Sequence, residues 1–546
     1  METNNTNPLL SINDVPDGLL CDIFLMSLER DASHVDIAEI RRRLISICLA
    51  CKRWHGLSYN YPLLWTRVID FEKDNAEYIA ELLRRSGSAP LEIGMDSAVD
   101  AVQQKNRQAV KVLQTIFEHR SRIKNMNVSI RYAPWEFICQ NFLDHPAPNL
   151  EFLNLITSCP FPDCSFSGAL FANHAPRLTQ FHMQRCLTDF SSPVLHHLTT
   201  LSVSDITAPG RLGRLTDHSA SIAPTVEGWL QILHNMTALR FLTLVNSITV
   251  VDNLETHKYS NIPLPCLRLL SLSTTFDEGA VLLKFLKIPP SCGIRLGVKE
   301  NPTMEVGPMI LAALSDQLSQ GQNLPTEGRE RYLQAKLLDG GRIHFGNSTR
   351  IGQLWNITEA DELAQHSKKS ADPLLWLVLT FSDDSSGART LIHQLLALYE
   401  PTFSTTICLD LWIDEQSIIT HEDVAFISTL VNFDAFTALR RLDLYGQSLI
   451  HLLPLIDSMS QRDEPVLPSL LLLRLTGTIF DDSDNQAYQI VLDFLQYRAT
   501  LDIPLRRVVV ANGEISNTTR TKLQEKSNVE VVEWKADARC HELSLE

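Results

Sequence analysis

The sequence lacks the long apolar run that a membrane-spanning helix needs. No stretch of the 546 residues approaches the ~20 consecutive apolar residues that such a helix requires, and Leu374 to Leu379, among the longest runs, is far too short. Residues 1–10 are polar and rich in asparagine, without the basic and apolar regions of a secretory signal. We therefore expect a cytoplasmic or nuclear protein, or one present in both compartments, with no membrane partner.

Clustered positive charge is also scarce. The formal net charge is −16, and the only basic run of note is Arg41 to Arg43. Binding to DNA or RNA depends on grouped lysines and arginines, so we expect no nucleic-acid partner and predict that this run is a solvated helix face. A content of 44% hydrophobic and 21% charged residues is typical of a folded chain.

The eleven cysteines form no recognisable framework. Their number is odd and their spacing irregular, which predicts free thiols in a reducing compartment. Cys48 and Cys51 have the spacing of half a zinc site, but no second pair of ligands completes it. We therefore predict that both cysteines pack on a helix, and we predict no metal and no cofactor.

Motifs for bond chemistry are missing as well. No Gly-x-Ser-x-Gly elbow occurs, and Gly340-Gly341 is not followed by the Gly-Lys-Ser/Thr of a phosphate-binding loop. Asp481 to Asp484 lacks the central Gly and closing Glu of a calcium loop, and it is better interpreted as the N-cap of a following helix. No cysteine is marked by its context as a nucleophile. We predict no catalytic residue.

Two short apolar patterns do stand close together near the start of the chain. In the first, Leu19, Leu20, Ile23 and Phe24 fall at i, i+1, i+4 and i+5, which predicts one face of a helix. Pro16 suits the first turn of that helix, where a missing N–H costs nothing.

The second pattern predicts another helix and a turn that ends in tryptophan. The helix must end before the proline that opens the segment Pro62–Trp65. Two helices and a turn in about fifty residues make a poor core but a good docking surface. The apolar residues of the second helix, at three- to four-residue spacing, are Leu44, Ile47, Cys48, Cys51 and Trp54.

Together these patterns resemble an F-box. The Leu-Pro start, Leu-Leu…Ile-Phe helix, Cys-Arg-x-Trp and Pro-x-Leu-Trp segments of that family have counterparts between Val15 and Trp65. The resemblance implies a helical module that binds a Skp-type adaptor and thereby joins a cullin-based ubiquitin ligase. The residues that it assigns to adaptor binding are Val15, Pro16, Leu19, Leu20, Ile23, Phe24, Leu44, Ile47, Cys48, Cys51, Trp54, Pro62, Leu64 and Trp65.

Further along the chain, the spacing Leu-x-x-Leu-x-Leu recurs with conservative variations. Its last two apolar positions are two residues apart, which is the strand period, so each copy predicts a strand. Consecutive copies lie about 20 to 41 residues apart, with a lapse between Leu272 and Leu439. The copies begin at Leu150, Leu178, Leu198, Leu239, Leu267, Leu439, Leu470 and Leu505, with a weaker one at Ile123.

Segments of helical period lie between these copies. Examples are Val226–Leu233, Val281–Leu286 and Tyr488–Leu495. Strands and helices alternating at such intervals resemble leucine-rich repeats, which implies a solenoid whose repeats bury their apolar faces against their neighbours. Further strands are predicted within the lapse, at Ile343–Phe345, Leu374–Leu379 and Ile407–Leu411.

The predicted fold class is α/β: a small N-terminal helical F-box, then an irregular leucine-rich-repeat-like α/β solenoid with a curved parallel sheet. A helix from about 74 to 85, with Tyr78, Leu82 and Leu83 facing inward, connects the two. Loops are expected at 321–327 and 368–372. The predicted boundaries are a disordered tail at 1–11, the F-box-like domain at 12–70, a helical linker at 71–90, the solenoid at 91–535 and a tail at 536–546.

The favoured function is that of a non-catalytic substrate receptor in a ubiquitin ligase, with a target protein of unknown identity held by the repeats. A repeat scaffold that docks an adaptor or other partners without promoting ubiquitination is the alternative. An enzyme with an unrecognised site is a third and weaker hypothesis.

Overall fold

The chain divides into two compact units, Met1–Ala223 and Pro224–Glu546, in a computed structural model. Both units combine helices with a largely parallel sheet. The residues that the structure describes are 12–28, 37–95, 103–130, 135–157, 165–206, 223–249, 260–289, 292–298, 312, 331–338, 342–348, 375–380, 406–413, 436–446, 449, 467–477, 479–480, 486–511, 513–527 and 529–534.

The first unit begins with a helical region, as predicted. A short 3-10 turn, Ile12–Asp14, precedes its helices. The helices are α1 (Asp17–Ser27), α2 (Ile37–Ala50), α3 (Lys52–Tyr59), α4 (Pro62–Arg67) and α5 (Ala76–Arg85).

The prediction of one continuous second helix is wrong, because the chain breaks between α2 and α3. Cys51 has extended dihedrals (φ −160°, ψ 168°), and its Sγ accepts a hydrogen bond from the backbone N–H of Trp54 at 3.4 Å. This side chain therefore caps α3 by satisfying an N–H that has no partner within the helix. Apolar spacing continues across such a break, so periodicity alone did not reveal it.

Helix α5 confirms the predicted helix to within two residues and corrects its inward face. Asn75 caps it, since the Asn75 side chain accepts a hydrogen bond from the backbone N–H of Tyr78 at 2.8 Å. Ile79, Leu82 and Leu83 are buried, whereas Tyr78 is exposed. Each residue turns a helix by about 100°, so the neighbour of a buried residue readily faces solvent.

The predicted linker at 71–90 contains α5, and this helix packs against the rest of its unit. Gly87 ends the helix with a positive φ of 53°, which glycine adopts without steric cost. Beyond it, Arg122 donates hydrogen bonds to the backbone oxygens of Ala89 at 2.9 Å and Ser86 at 3.3 Å. These contacts attach the segment after α5 to Arg122, which directly precedes the strand Ile123–Ile130.

The sheet of the first unit consists of parallel strands that follow one another in chain order. Leu153 and Leu155 of its central strand lie in two rows of apolar side chains that are almost completely buried. The predicted copies beginning at Ile123, Leu150, Leu178 and Leu198 are thus confirmed as strands. The strands are β1 (Leu91–Met95), β2 (Ile123–Ile130), β3 (Phe152–Thr157), β4 (Gln180–Gln184) and β5 (Thr200–Ser204).

Helical segments and an aromatic cluster complete the core of this unit. Helix α6 (Gln103–Phe117) precedes β2, and helix α7 (Trp135–Ile138) continues into a π turn, Cys139–Leu143. The ring centroid of Phe142 lies 5.2 Å from that of Phe117 and 5.6 Å from that of Phe171. All three phenylalanines are buried, so the stack fills the space beside the strands.

The sheet of the second unit is longer. Its order is β6-β8-β10-β13-β12-β11-β14-β15-β16-β18-β20, and two small parallel pairs, β7–β9 and β17–β19, lie outside it. The strands are β6 (Phe241–Val245), β7 (Ile262–Pro263), β8 (Leu269–Thr274), β9 (Leu286–Lys287), β10 (Gly293–Val298), β11 (Arg331–Leu338), β12 (Arg342–Ser348), β13 (Leu375–Thr380), β14 (Thr406–Ile413), β15 (Arg441–Gly446), β16 (Leu472–Thr476), β17 (Ile479–Phe480), β18 (Arg507–Ala511), β19 (Glu514–Ile515) and β20 (Glu530–Trp534).

Eight of these fifteen strands were predicted, namely β6, β8, β12, β13, β14, β15, β16 and β18, and one part of the sheet departs from the expected parallel arrangement. Strand β12 pairs antiparallel with both β11 and β13, and β11 was not predicted. Only residues 339–341 separate β11 from β12. A connection this short can join antiparallel neighbours, whereas a parallel crossover needs a dozen residues or more.

Three helices of the second unit agree with the predicted helical segments, with one shift at a boundary, whereas α11 was not predicted. Leu286 was placed on a helix, but α9 ends at Phe285 and Leu286 begins β9. The helices are α8 (Val226–His234), α9 (Phe276–Phe285), α10 (Gln486–Thr500) and α11 (Asn517–Ser527).

Several predictions fall on residues outside the described segments. These are the tails at 1–11 and 536–546, the loops at 321–327 and 368–372, and the helix cap at Asp481 to Asp484. The domain boundaries proposed from the sequence also stay predictions. Among the described residues, none of the helices has both the length and the apolar character needed to cross a bilayer.

We predict that the buried leucine rows carry the stability of the sheet. Leu242 of β6 has no exposed surface, so Leu242→Ala should lower the free energy of unfolding by about 2–5 kcal/mol through lost contacts and a cavity. Chemical denaturation followed by circular dichroism measures this change. Arg240→Ala, at an exposed position two residues away, is the control and should stay within about 0.5 kcal/mol of the unchanged protein. Equal effects of the two substitutions would contradict the assigned register.

We also predict a pH dependence that arises from His182 of β4. Burial lowers the pKa of His182 from 6.5 to about 4, so the unfolded chain binds a proton there more readily than the folded one. The contribution of His182 to the free energy of unfolding should therefore be fully present above pH 6.5 and be lost as the pH falls towards 4. The loss from this group is at most about 1.4 kcal/mol per pH unit. Denaturation midpoints at several pH values should show a weaker dependence for His182→Gln. The exposed His197→Gln should retain the original dependence.

Candidate docking surface on the N-terminal helices

Large apolar side chains are exposed mainly on the N-terminal helical region. Outside it, Leu501 is the one other large apolar residue that is clearly exposed among the described residues. Scattered apolar residues are normal on protein surfaces, but a concentration of them marks an interaction site. The exposed residues of this region are Ile12, Leu19, Ile23, Met26, Ile45, Leu49, Tyr59 and Tyr78.

Helix α1 carries three of them on a single face, here named the α1 stripe: Leu19, Ile23 and Met26. They are 55%, 49% and 67% exposed, and their spacing of four and three residues aligns them along the helix. Leu20 and Phe24, in contrast, are buried. The sequence placed Leu19, Leu20, Ile23 and Phe24 on one face, but a rotation of about 100° per residue separates them into an outer and an inner pair.

Helix α2 repeats this arrangement. Its inner residues Ile40 and Leu44 are buried, while Ile45 and Leu49, here named the α2 pair, are exposed. Leu49, at 76%, is the most exposed of the large apolar residues that the structure describes. The i, i+4 spacing of the α2 pair was visible in the sequence. It was missed because Leu44 and Ile47 already accounted for an apolar face.

The tryptophan of α3 joins the inner faces of the helices. The Trp54 ring centroid lies 4.9 Å from that of Phe24, at an interplanar angle of 58°. Trp54 is half-buried and Phe24 is buried, so this contact fills the core between α1 and α3. The N-cap at Cys51 sets where α3 begins, and thus where Trp54 lies.

Arg53 attaches α3 to the start of α1. Its Nε donates a hydrogen bond to Oδ1 of Asp17 at 3.0 Å, and its Nη2 donates to the backbone oxygen of Val15 at 2.6 Å. Asp17 also lies in the first turn of α1, where a negative charge interacts favourably with the helix dipole. One arginine therefore fixes the end of the helix that carries the α1 stripe.

The segment Pro62–Trp65 forms the first turn of α4. Pro62 is its first residue and Leu64 is buried. The Trp65 indole donates its Nε1–H to the backbone oxygen of Tyr59 at 3.4 Å, and the guanidinium carbon of Arg85 lies 4.7 Å from the centre of the Trp65 ring. This cation–π contact connects α4 to the end of α5.

The basic run of α2 has two different roles. Arg41 turns inward: it forms an ion pair with Asp74, and its Nε donates to the backbone oxygen of Val68 at 2.9 Å. Burial lowers the pKa of Arg41, but the hydrogen bond and the charge of Asp74 raise it by more, so the net shift is upward. Arg42 and Arg43 instead pair with Glu39 at the surface, as expected of a solvated face.

The predicted adaptor-binding residues thus occupy different depths. The buried ones support the helices from within, and a partner that docks on this structure would touch the others. Leu20, Phe24, Leu44 and Leu64 are buried; Val15, Ile47, Cys48, Trp54, Pro62 and Trp65 are partly exposed; Pro16, Leu19, Ile23 and Cys51 are exposed. The exposed residues that the sequence interpretation missed are Ile12, Met26, Ile45, Leu49 and Tyr59.

Cys48 and Cys51 are free thiols, and the expectation that both pack on a helix is wrong for Cys51, which is exposed at the N-cap of α3. Groups of three or more His, Cys, Asp or Glu side chains able to hold a metal ion are absent among the described residues.

Comparison with known proteins adds no further information about this surface. No protein-family model matches the chain, and no curated protein matches it either. The F-box and leucine-rich-repeat resemblances therefore depend on the residues quoted above.

Two adjacent leucines of α1 should respond differently to truncation. Leu20→Ala should lower the free energy of unfolding by about 2–5 kcal/mol because Leu20 has no exposed surface. Leu19→Ala, its matched control, should change it by no more than about 0.5 kcal/mol because Leu19 is 55% exposed. Urea denaturation measures both changes. A large loss from Leu19→Ala would show that this side chain belongs to the core and not to the α1 stripe.

Proposed function

We propose that this protein is the substrate-recognition subunit of an SCF-type ubiquitin ligase. The observation that carries the proposal is the α1 stripe: an exposed apolar face on a helix whose inner face is already packed. The α2 pair is a second exposed apolar group in the same region. The Val15–Trp65 pattern that resembles an F-box coincides with these helices, and a Skp-type adaptor is the partner that the resemblance implies.

The energetics of the exposed residues favour docking by a protein partner. Burying a Leu, Ile or Met side chain contributes about 1.5–3 kcal/mol, so the three residues of the α1 stripe offer several kcal/mol to an interface. Affinities in the micromolar range correspond to about 8 kcal/mol, which such a stripe approaches when neighbouring contacts are added. The network of Arg53 and Asp17 holds α1 in position beforehand, which reduces the ordering cost of binding.

The remainder of the chain is proposed to form a leucine-rich-repeat-like solenoid that binds the target. In support, copies of the six-residue pattern coincide with parallel strands, and in the first unit the strands pair in chain order. The opposite side of these strands is polar, with Asn154, His182 and Ser202 in one row; Asn154 and Ser202 are partly exposed, whereas the His182 Nε2 between them is buried. Alternate side chains of a strand face opposite ways, so one face stabilises the sheet and the other is available to a partner.

The proposed mechanism involves no bond chemistry by this chain. The protein holds a target close to the catalytic module of the ligase and so raises its effective concentration there. The alternative is a scaffold that docks an adaptor or other partners without promoting ubiquitination. The proposed compartment is the cytoplasm, the nucleus or both.

Adaptor docking is tested by reversing the polarity of the α1 stripe. In the full-length chain, Leu19→Asp with Ile23→Asp should abolish binding to a purified Skp-type adaptor, because two carboxylates cannot be buried in an apolar interface without large desolvation costs. Isothermal titration calorimetry measures the binding, and circular dichroism verifies the fold. Leu501→Asp, at an exposed leucine of the second unit, is the matched control and should bind normally. Undiminished binding by the double variant would contradict the proposed surface.

Target turnover separates the receptor from the scaffold. Expressed in cells, the Leu19→Asp/Ile23→Asp variant should retain its target but lose the ligase, so the target should accumulate with it. The unchanged protein should deplete the same target by a route that proteasome inhibition blocks. Equal abundance and turnover of the bound proteins in both cases would favour the scaffold.

A further inference from the structure

Arg295 lies in the middle of β10, in the second unit, on the sheet face opposite to the buried Ile294 and Leu296. The side chain is partly buried and its Nε is fully buried. That nitrogen has no hydrogen-bond partner, and within the described segments no carboxylate forms an ion pair with this guanidinium. A guanidinium buried in this way costs stability unless an anion compensates it.

Three arginines on other strands of this unit, Arg441, Arg474 and Arg507, have carboxylate partners among the described residues. Arg441 donates to Asp443 from Nε at 2.7 Å, and Nη1 of Arg474 lies 3.7 Å from Oδ2 of Asp443. Near the end of the sheet, Arg507 pairs with Glu530 at 2.8 Å. These three strand arginines are therefore compensated by neighbouring carboxylates, whereas Arg295 is not within the described segments.

The neighbours of Arg295 on β10 and β8 are small, and those on β8 carry hydroxyl groups, whereas on β13 Trp376 is in register with Arg295. Gly293 and Gly297 lie two residues away on the same strand and the same face, so no side chain covers the guanidinium from those positions. On β8, Ser271 is in register with Arg295 and Ser273 with Gly297. The sequences of β6, β8, β10 and β13 contain no Asp or Glu. The position thus combines a cation and hydroxyl donors with an absence of acidic residues on these four strands.

The nearest acidic helix packs on the other side of the sheet. Helix α9 carries Asp277 and Glu278, and it contacts the Leu296 face: a Cβ at Gly279 would lie 3.3 Å from Cδ1 of Leu296. Successive residues of a strand point to opposite faces, so this contact lies on the side away from Arg295. The helix therefore offers no explanation for the burial of the arginine.

We propose that Arg295 is the binding residue of an oxyanion site, which takes a phosphate or carboxylate group carried by a ligand of this sheet. A guanidinium binds either group through paired, charge-assisted hydrogen bonds, and the serine hydroxyls can donate to the remaining oxygens. Burial lowers the pKa of Arg295 to about 10, which leaves it cationic at neutral pH. The proposal is independent of adaptor docking, because that surface belongs to the first unit.

The experiment compares anion binding by the full-length protein and two arginine variants. Potassium phosphate and potassium succinate are titrated at constant ionic strength, with the thermal unfolding midpoint and calorimetric heat as readouts. Arg295→Met keeps the length of the side chain and removes its charge, whereas Arg268→Met removes the charge of an exposed arginine just before β8. Phosphate also stabilises proteins non-specifically, so the readout is the difference between these two variants.

We expect the unchanged protein and Arg268→Met to bind the anion saturably. In Arg295→Met the affinity should fall at least about tenfold, the loss expected when one charged hydrogen-bonding group is removed. A response to phosphate alone identifies a phosphorylated ligand, a response to succinate alone a carboxylate, and a response to both the shared oxyanion chemistry. Without anion, Arg295→Met should unfold at a higher temperature than the unchanged protein, because an uncompensated charge has been removed. Loss of folding in Arg295→Met, equal binding by both variants, or no saturable response to either anion would overturn the proposal.

Discussion

The burial of paired apolar residues along successive strands is the constraint on which the rest of the structure depends. A strand such as β3 has one face, with Leu153 and Leu155, that avoids water only when a neighbouring strand and a helix cover it. The same requirement applies at β6, β8, β15, β16 and β18, where both residues of each pair are buried. Each unit therefore grows by adding strands beside one another, and the alternate residues of those strands remain free to vary.

The N-terminal helices meet a different constraint. They must form a small core while leaving apolar side chains in water. Leu20, Phe24 and Leu64 supply that core, with Trp54 against Phe24. Arg53 and Arg41 add polar contacts between segments far apart in the sequence. Because polar contacts hold the helices as well as apolar ones, the α1 stripe can stay outside the core, which is the property a docking module requires.

Much of the fold followed from local patterns, and the errors have identifiable physical causes. The strand period revealed the copies beginning at Leu150 and Leu239 because burial of both positions leaves a regular signal. It did not reveal the antiparallel placement of β12, since strand direction depends on the length of a connection and not on apolar spacing. The helical spacing of apolar residues likewise continues from α2 through Cys51 into α3, so it predicted one helix. An N-cap changes the backbone without interrupting that spacing.

At the candidate site, the sequence by itself determined which helices are apolar and where the tryptophans and prolines fall. Tertiary structure decided which of those apolar residues are covered. Leu19 and Leu20 are identical in chemistry, and only the packing of α1 against its neighbours buries one and exposes the other. Burial is a property of the surrounding chain, as is the lack of a carboxylate beside Arg295 among the described residues. The spacing of two residues in the sequence specifies the angle between their side chains on a helix. Which of the two side chains faces solvent depends on the elements that pack against that helix.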